Sequence, residues 1–154
     1  MKYLILENIR SAYNVGAIFR TADGAGVEKI FLVGYTPDPI DRFGRTQAEI
    51  KKTSLGASEE IEWEHRDDSQ SLIDELKKEG FVTVAVELGK DSISLADFTL
   101  PEKVAYIMGN EVKGVEESTL QQVDKKVEIP MKGKKESLNV SVAAGIIMYH
   151  GISG

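Results

Sequence analysis

Three stretches of this 154-residue chain gather residue types that can do chemistry. The first runs Asn14-Val15-Gly16-Ala17-Ile18-Phe19-Arg20-Thr21-Ala22. Asn14 and Gly16 suit a helix start, and at helical spacing Gly16, Arg20 and Gly24 share one face, bare except for a guanidinium. An arginine among Ala17, Ile18, Phe19 and Ala22 needs an anion or a route to water, because burying it unpaired is costly. Two anions suit it: a carboxylate of the chain itself, or the phosphate or carboxylate of a ligand held by the guanidinium fork. The second stretch, Gly109-Asn110-Glu111-Val112-Lys113-Gly114, sets one carboxylate between two glycines at the end of an apolar run. Gly109 permits close backbone approach, and Gly114 a conformation that a Cβ would penalise. The same pattern also makes an ordinary good turn. The third joins Ile129-Pro130-Met131 through a basic loop to Ser137-Leu138-Asn139-Val140-Ser141. Ser137 is placed to cap the final helix, and beyond it Ser137, Ser141, Ala144 and Gly145 keep one helix side small. Small residues leave room for a second backbone or a flat ligand.

Positioning these stretches takes an alternation of short strands and helices. Residues 3–6, 29–33, 60–64, 81–86, 104–108 and 126–129 read as strands, and 16–24, 46–53, 69–79, 115–123 and 138–149 as helices. Strand cores such as Val82-Thr83-Val84-Ala85-Val86 are apolar on both faces, which predicts an α/β fold: a mostly parallel sheet with helices on both faces. Ligands of such sheets sit beyond the carboxyl ends of the strands, where the loops after Leu6, Val33, Val86, Met108 and Ile129 must lie.

Composition removes several chemistries. With no cysteine and only His65 and His150, thiolate sites, disulfides and histidine-rich metal sites lack material, and no metal is expected. A phosphate-binding G-x-x-x-x-G-K-[ST] is missing, and Gly24-Ala25-Gly26 follows a helix rather than opening one, so it reads as a helix stop. The N-terminal apolar run is too short for a signal peptide or a membrane span, which suggests a cytoplasmic protein without membrane contact. A net charge of -6 argues against nucleic-acid binding by bulk charge, yet the charge is uneven. Residues 59–68 hold six acids against one arginine, whereas 42–53 and 125–136 each net +3.

Taken together and in order, the three stretches closely resemble the SpoU (TrmH-like) family of RNA ribose 2′-O-methyltransferases within the SPOUT superfamily. Residues 14–22 correspond to the family's first motif, 109–114 to its second, and 129–131 with 137–141 to its third, and the similarity spans essentially the whole chain as a single catalytic domain over 1–154. The separate RNA-binding domain of many members has no counterpart in this reading.

That resemblance implies a C-terminal trefoil knot, which connection rules make rare. It implies S-adenosylmethionine as methyl donor, with S-adenosylhomocysteine as product, held by Val86, Glu87, Leu88 and Gly89, by Met108 and Gly109, and by Ile129 and Met131, with Ser137 and Leu138 closing the adenine side. Because the donor carries no phosphate, no glycine-rich phosphate loop is needed. Arg20, Glu111, Ser137 and Asn139 map onto the family's catalytic positions, and Asn14 supports the same site. Arg20 would clamp a phosphate beside the target ribose, in cis or from the opposite subunit of a homodimer. The implied substrate is RNA, with transfer RNA first and ribosomal RNA second. A non-catalytic RNA-binding module of the same fold, and an S-adenosylmethionine-dependent enzyme acting on a base or small molecule, are the competing readings.

Overall fold

Strands that are apolar on both faces have no wet side and must be covered above and below. The computed structural model, which describes residues 1–152, provides that cover on a seven-stranded sheet. Its strands are β1 (Lys2–Glu7), β2 (Lys29–Val33), β3 (Glu62–Arg66), β4 (Val82–Val86), β5 (Ile93–Ser94), β6 (Val104–Met108) and β7 (Lys125–Glu128). The order is β3-β2-β1-β6-β4-β7-β5, and every pair is parallel. Helices α1 (Ala12–Ala25), α2 (Ala48–Ser54), α3 (Ala57–Glu60), α4 (Ser69–Lys78), α5 (Glu117–Gln122) and α6 (Val140–Tyr149) join them.

Side chains that alternate along a strand divide the core in two. Leu4, Leu6, Tyr106 and Met108 face α1, α2 and α6 through Ile18, Phe19, Ile50 and Ile147. Ile5, Ala105 and Ile107 face the other way, onto Leu72 and Leu76 of α4 and Leu120 of α5. Parallel pairing then delivers the loops after β1, β4, β6 and β7 to one edge of the sheet.

Departures from the sequence expectations have local causes. Helix α1 begins at Ala12, earlier than Asn14, because the Ser11 hydroxyl accepts the Asn14 amide, and it stops at Gly26, in the left-handed region as expected. The final helix begins at Val140, and its cap is Asn139, whose Oδ1 accepts from Ser141; Ser137 lies upstream in the loop and caps nothing. Helix α5 is shorter than the expected 115–123 because the amides of Val115 and Glu116 are taken by the Glu87 and Glu7 carboxylates. Strand β3 starts two residues late, after the one-turn helix α3 closes with the Ile61 amide on the Ala57 carbonyl. The two-residue β5 was too short to show a pattern. The small side of α6 serves α1 of the same chain: a Cβ on Gly145 would lie 3.5 Å from Thr21, and one on Gly24 would lie 2.6 Å from the Tyr149 hydroxyl. Gly16 similarly admits α2, since a Cβ there would come 2.8 Å from the Ile50 carbonyl oxygen. None of the helices described is long and apolar enough to cross a membrane.

One buried carboxylate ties both helical layers of the second face to the sheet edge. Glu7, at the end of β1, accepts from the Ser69 hydroxyl at 2.5 Å, the Thr119 hydroxyl at 2.6 Å and the Glu116 amide at 2.8 Å. Glu7→Ala would leave those three donors without an acceptor in a dry setting, so it should cost about 3 kcal/mol of unfolding free energy. Urea denaturation at neutral pH measures this, and a loss below ~1 kcal/mol would contradict the assignment.

Candidate functional site

The loops at the carboxyl edge enclose a cleft of about 200 Å³. Val86, Glu87 and Leu88 line it from the end of β4, Met108 and Gly109 from the end of β6, Ile129 and Met131 from beyond β7, and Ser137 and Leu138 from the approach to α6. Gly89, expected with the first group, lies outside the lining. Glu128, Val140 and Ala143 also line it; Val140 lies in the third stretch, and none of the three was assigned to the donor from the sequence.

Residues 109–114 form the best-anchored wall. The Asn110 amide donates to the Gly114 carbonyl at 3.1 Å, and the Gly114 amide returns to the Asn110 carbonyl at 2.9 Å. Inside this closed turn the Asn110 side-chain oxygen accepts the amides of Val112 and Lys113, both at 2.9 Å. Its nitrogen reaches out to the Asn8 carbonyl at 2.8 Å and the Tyr35 hydroxyl at 2.9 Å. Both flanking glycines are obligatory. A Cβ on Gly109 would sit 2.3 Å from the Gly114 carbonyl carbon, and Gly114, at φ 73°, would thrust one 2.4 Å from Glu87 Oε2. Glu87 itself accepts the Val115 amide at 2.8 Å, which ties the turn to β4. Asn110 was visible between the two glycines, but nothing in the sequence revealed that its side chain joins three loops.

Glu111 is directed at the loop after β1. Its oxygens accept the amides of Arg10 at 3.0 Å and Ser11 at 2.9 Å, with the Asn14 side-chain nitrogen at 3.5 Å. The first and second motifs are therefore in contact, and the buried Asn14 lies in their joint. Partial burial works against the Glu111 charge, but the donated backbone amides outweigh it and hold the carboxyl below its ordinary pKa. Asn139 is occupied as the α6 cap and does not line the cleft, whereas the Ser137 side chain is exposed at its mouth.

Arg20 stands elsewhere. It lines a second depression, of about 580 Å³, with Tyr13, Ala17, Thr21, Gly24, Lys52, Thr53, Leu55 and Tyr149. The ion pair open to it in the sequence is not formed: among the described residues no carboxylate pairs with Arg20. In this depression Tyr13, Leu55 and Tyr149 expose apolar surface, and Ile146 and Val142, one and two turns before Tyr149 on α6, are exposed as well.

From residue 130 to residue 138 no amide or carbonyl is spent on another backbone group. This loop borders the cleft and carries Lys132, Lys134 and Lys135, all exposed. The arrangement offers an apolar slot with unspent backbone donors and acceptors along one side and cations at its rim.

Glu111 yields a pH-dependent prediction. Because its folded-state pKa lies below the unfolded value of about 4.3, its hold on the Arg10 and Ser11 amides is complete above that value and is lost as pH falls through the folded-state pKa. Amide nitrogen and proton shifts of Arg10 and Ser11 should titrate together with a midpoint below about 4.3, and Glu111→Gln should abolish the inflection. A midpoint at or above that value would refute the clamp.

Comparison with known proteins adds an independent finding. The model of the SpoU rRNA Methylase family matches residues 1–149. A 23S rRNA (guanosine-2'-O-)-methyltransferase of Neisseria meningitidis is 34% identical over 145 residues, covering 94% of this chain and 55% of that protein. A tRNA (guanosine(18)-2'-O)-methyltransferase of Aquifex aeolicus is 33% identical over 143 residues, covering 93% of this chain and 64% of its own. The crystal structure of an AdoMet-bound rRNA methyltransferase from Sinorhizobium meliloti superposes with a TM-score of 0.87 at 29% identity, over 97% of this chain and 54% of that one. The chain thus spans between about half and two thirds of the length of these relatives.

Proposed function

This chain belongs to the SpoU rRNA methylase family, and from that premise we propose that it methylates the ribose 2′-hydroxyl of a nucleotide in RNA with S-adenosylmethionine as donor. The observation that carries this reading is the cleft itself: the positions assigned to the donor from the sequence, Gly89 excepted, line one cavity. Its chemistry fits the molecule. Met108, Ile129, Met131 and Leu138 offer apolar contact to a flat heterocycle, and the unspent backbone of residues 130–138 can read its polar edge. When bound, S-adenosylmethionine supplies an electrophilic methyl group.

The work of the chain is to orient and to stabilise charge. The attacking hydroxyl must lose its proton as its oxygen bonds to carbon and the carbon–sulfur bond breaks. A guanidinium such as that of Arg20 is a poor base and a good phosphate clamp. Its fork would hold the phosphate beside the target ribose, while the Ser137 hydroxyl at the cleft mouth would position the reacting groups and Asn139, whose Oδ1 is spent on the α6 cap, would have only its side-chain nitrogen to offer. Glu111 and Asn14 act as positioning residues through the loop after β1. Arg20 is on a different depression from the cleft, so we further assign the chain to a homodimer in which Arg20 of one subunit completes the site of the other. The apolar rim of Tyr13, Leu55, Ile146 and Tyr149 supports that pairing. The knotted C-terminus belongs to the same proposal: β7 follows β5 and β6 in sequence yet pairs between β4 and β5. Transfer RNA in the cytoplasm is the first substrate and ribosomal RNA the second.

Titration calorimetry should detect S-adenosylmethionine binding at sub-millimolar concentration; its absence would leave a non-catalytic RNA-binding module. Mass spectrometry of nucleosides from tRNA and rRNA of cells lacking the gene, treated with the protein, should reveal a ribose-methylated nucleoside. A base-methylated product would overturn the reaction class. Arg20→Ala should lower turnover about a hundredfold or more with donor binding unchanged, and mixing it with Ser137→Ala should restore activity that neither variant has alone. Intact turnover in Arg20→Ala would refute its role.

A further inference from the structure

The loop between β2 and α2 carries an aromatic ring where a solvated loop has no structural use for one. Phe43 is 67% exposed, at the tip of an antiparallel turn closed by the Ile40–Thr46 bridge. Two guanidinium carbons flank its ring, Arg42 at 4.9 Å and Arg45 at 5.0 Å from the centroid, within the range of cation–π attraction. The tip is ordered before any ligand arrives. One Asp41 carboxylate oxygen accepts the amides of Phe43 and Arg45 at 2.9 Å, and the other pairs with Arg45 Nε at 2.9 Å. Gly44, at φ 78°, turns the chain back so that its amide meets the Asp41 carbonyl at 2.9 Å. Asp38 fastens the base of the loop to His65 of β3 at 2.6 Å.

This loop rises from the same sheet edge as the cleft. Its first residues include Tyr35, whose hydroxyl accepts from Asn110 in the cleft wall at 2.9 Å. Arg42, Lys51 and Lys52 have no acidic partner among the described residues, in a chain whose net charge is -6. An exposed, ordered ring that already attracts guanidinium groups complements one kind of occupant: a bare base face that takes the place of a guanidinium on the ring, with phosphates beside it to receive the displaced cation. Paired bases have no free face, so a duplex cannot use it.

We propose that Arg42, Phe43 and Arg45 form a stacking platform for an unpaired nucleotide of the RNA substrate, Phe43 receiving the base and Arg42 an adjacent phosphate. This rests on the RNA-methyltransferase reading and narrows it: the target ribose lies in a single-stranded loop or end rather than within a helix.

The test measures fluorescence anisotropy of the full chain with a labelled oligouridylate, the same backbone carrying abasic riboses, and a duplex of equal length, at low salt. The wild type should bind the oligouridylate best. Phe43→Ala should weaken that binding about tenfold and erase the preference over the abasic strand, while Phe43→Trp restores both. Arg42→Gln should lower the slope of log affinity against log salt by roughly 0.7. Equal binding of the abasic strand by the wild type, undiminished binding by Phe43→Ala, or no binding by the wild type would overturn the platform. A shift in oligomeric state of Phe43→Ala without a change in RNA binding would assign the tip to protein contact instead and would also overturn it. Calorimetry with S-adenosylmethionine on the same variants separates the two readings. Donor binding with no Phe43 effect sinks the platform alone, whereas a Phe43 effect without donor binding sinks the methyltransferase reading and leaves the platform standing.

Discussion

Backbone amides captured by carboxylates hold the carboxyl edge of the sheet together. Glu87 takes the amide of Val115 and Glu7 that of Glu116, so the chain leaving residues 109–114 is fixed from β4 and from β1 at once. Glu111, within that turn, reaches back to the amides of Arg10 and Ser11. Each of these bonds joins segments distant in sequence, and each is charge-assisted, stronger than a neutral bond of the same length. The cleft keeps its shape because its loops are bound to one another as well as to the strands they leave. Asn110 completes the lattice by serving its own turn with its oxygen and two other loops with its nitrogen.

This constraint recasts what an acidic chain means for a partner that is a polyanion. Several acids are spent internally, Glu7, Glu87 and Glu111 on amides at the sheet edge and others on cations at the sheet border. Lys29 is paired with Glu62 and Glu64, and Arg66 with Glu64 and Glu75. Among the cations with no acidic partner in the described residues are Arg42, Lys51 and Lys52 on one loop system and Lys132, Lys134 and Lys135 on the other. Local potential, not the sum of -6, is what a phosphate approaching either loop would meet.

Much of the fold was legible because burial on two faces leaves a plain signature: Val82 to Val86 and Val104 to Met108 have almost no polar position, and both are interior strands. Boundaries failed where a tertiary bond outweighed local preference. Val115 and Glu116 have no reason in their own neighbourhood to stay extended, since the carboxylates that claim their amides come from β4 and β1. Ser137 looked like a cap by residue type alone, yet Asn139 holds that place, and no local rule separates two capping residues two positions apart. Residue types pointed to loops that line one cleft, while the partners of Asn110 and Glu111 were invisible, because a side chain's reach depends on which loops the sheet order brings together.

Arg20 is the residue for which the chain alone is insufficient in a different sense. The sequence set Arg20 on one face with Gly16 and Gly24; Gly24 does lie beside it, packed against the Tyr149 hydroxyl, whereas Gly16 is spent on admitting α2. A guanidinium in an open, partly apolar depression with no acid of its own is stable there only because it stays solvated. Joining two copies of such a surface would strip that water from it. The cost is offset only if the second copy, or an RNA phosphate held between the two, supplies the missing anion. In the proposed dimer, an arginine left without a partner in one chain would physically link dimer formation to phosphate binding: the same desolvation that would penalise an empty interface would strengthen the phosphate contact once it is made.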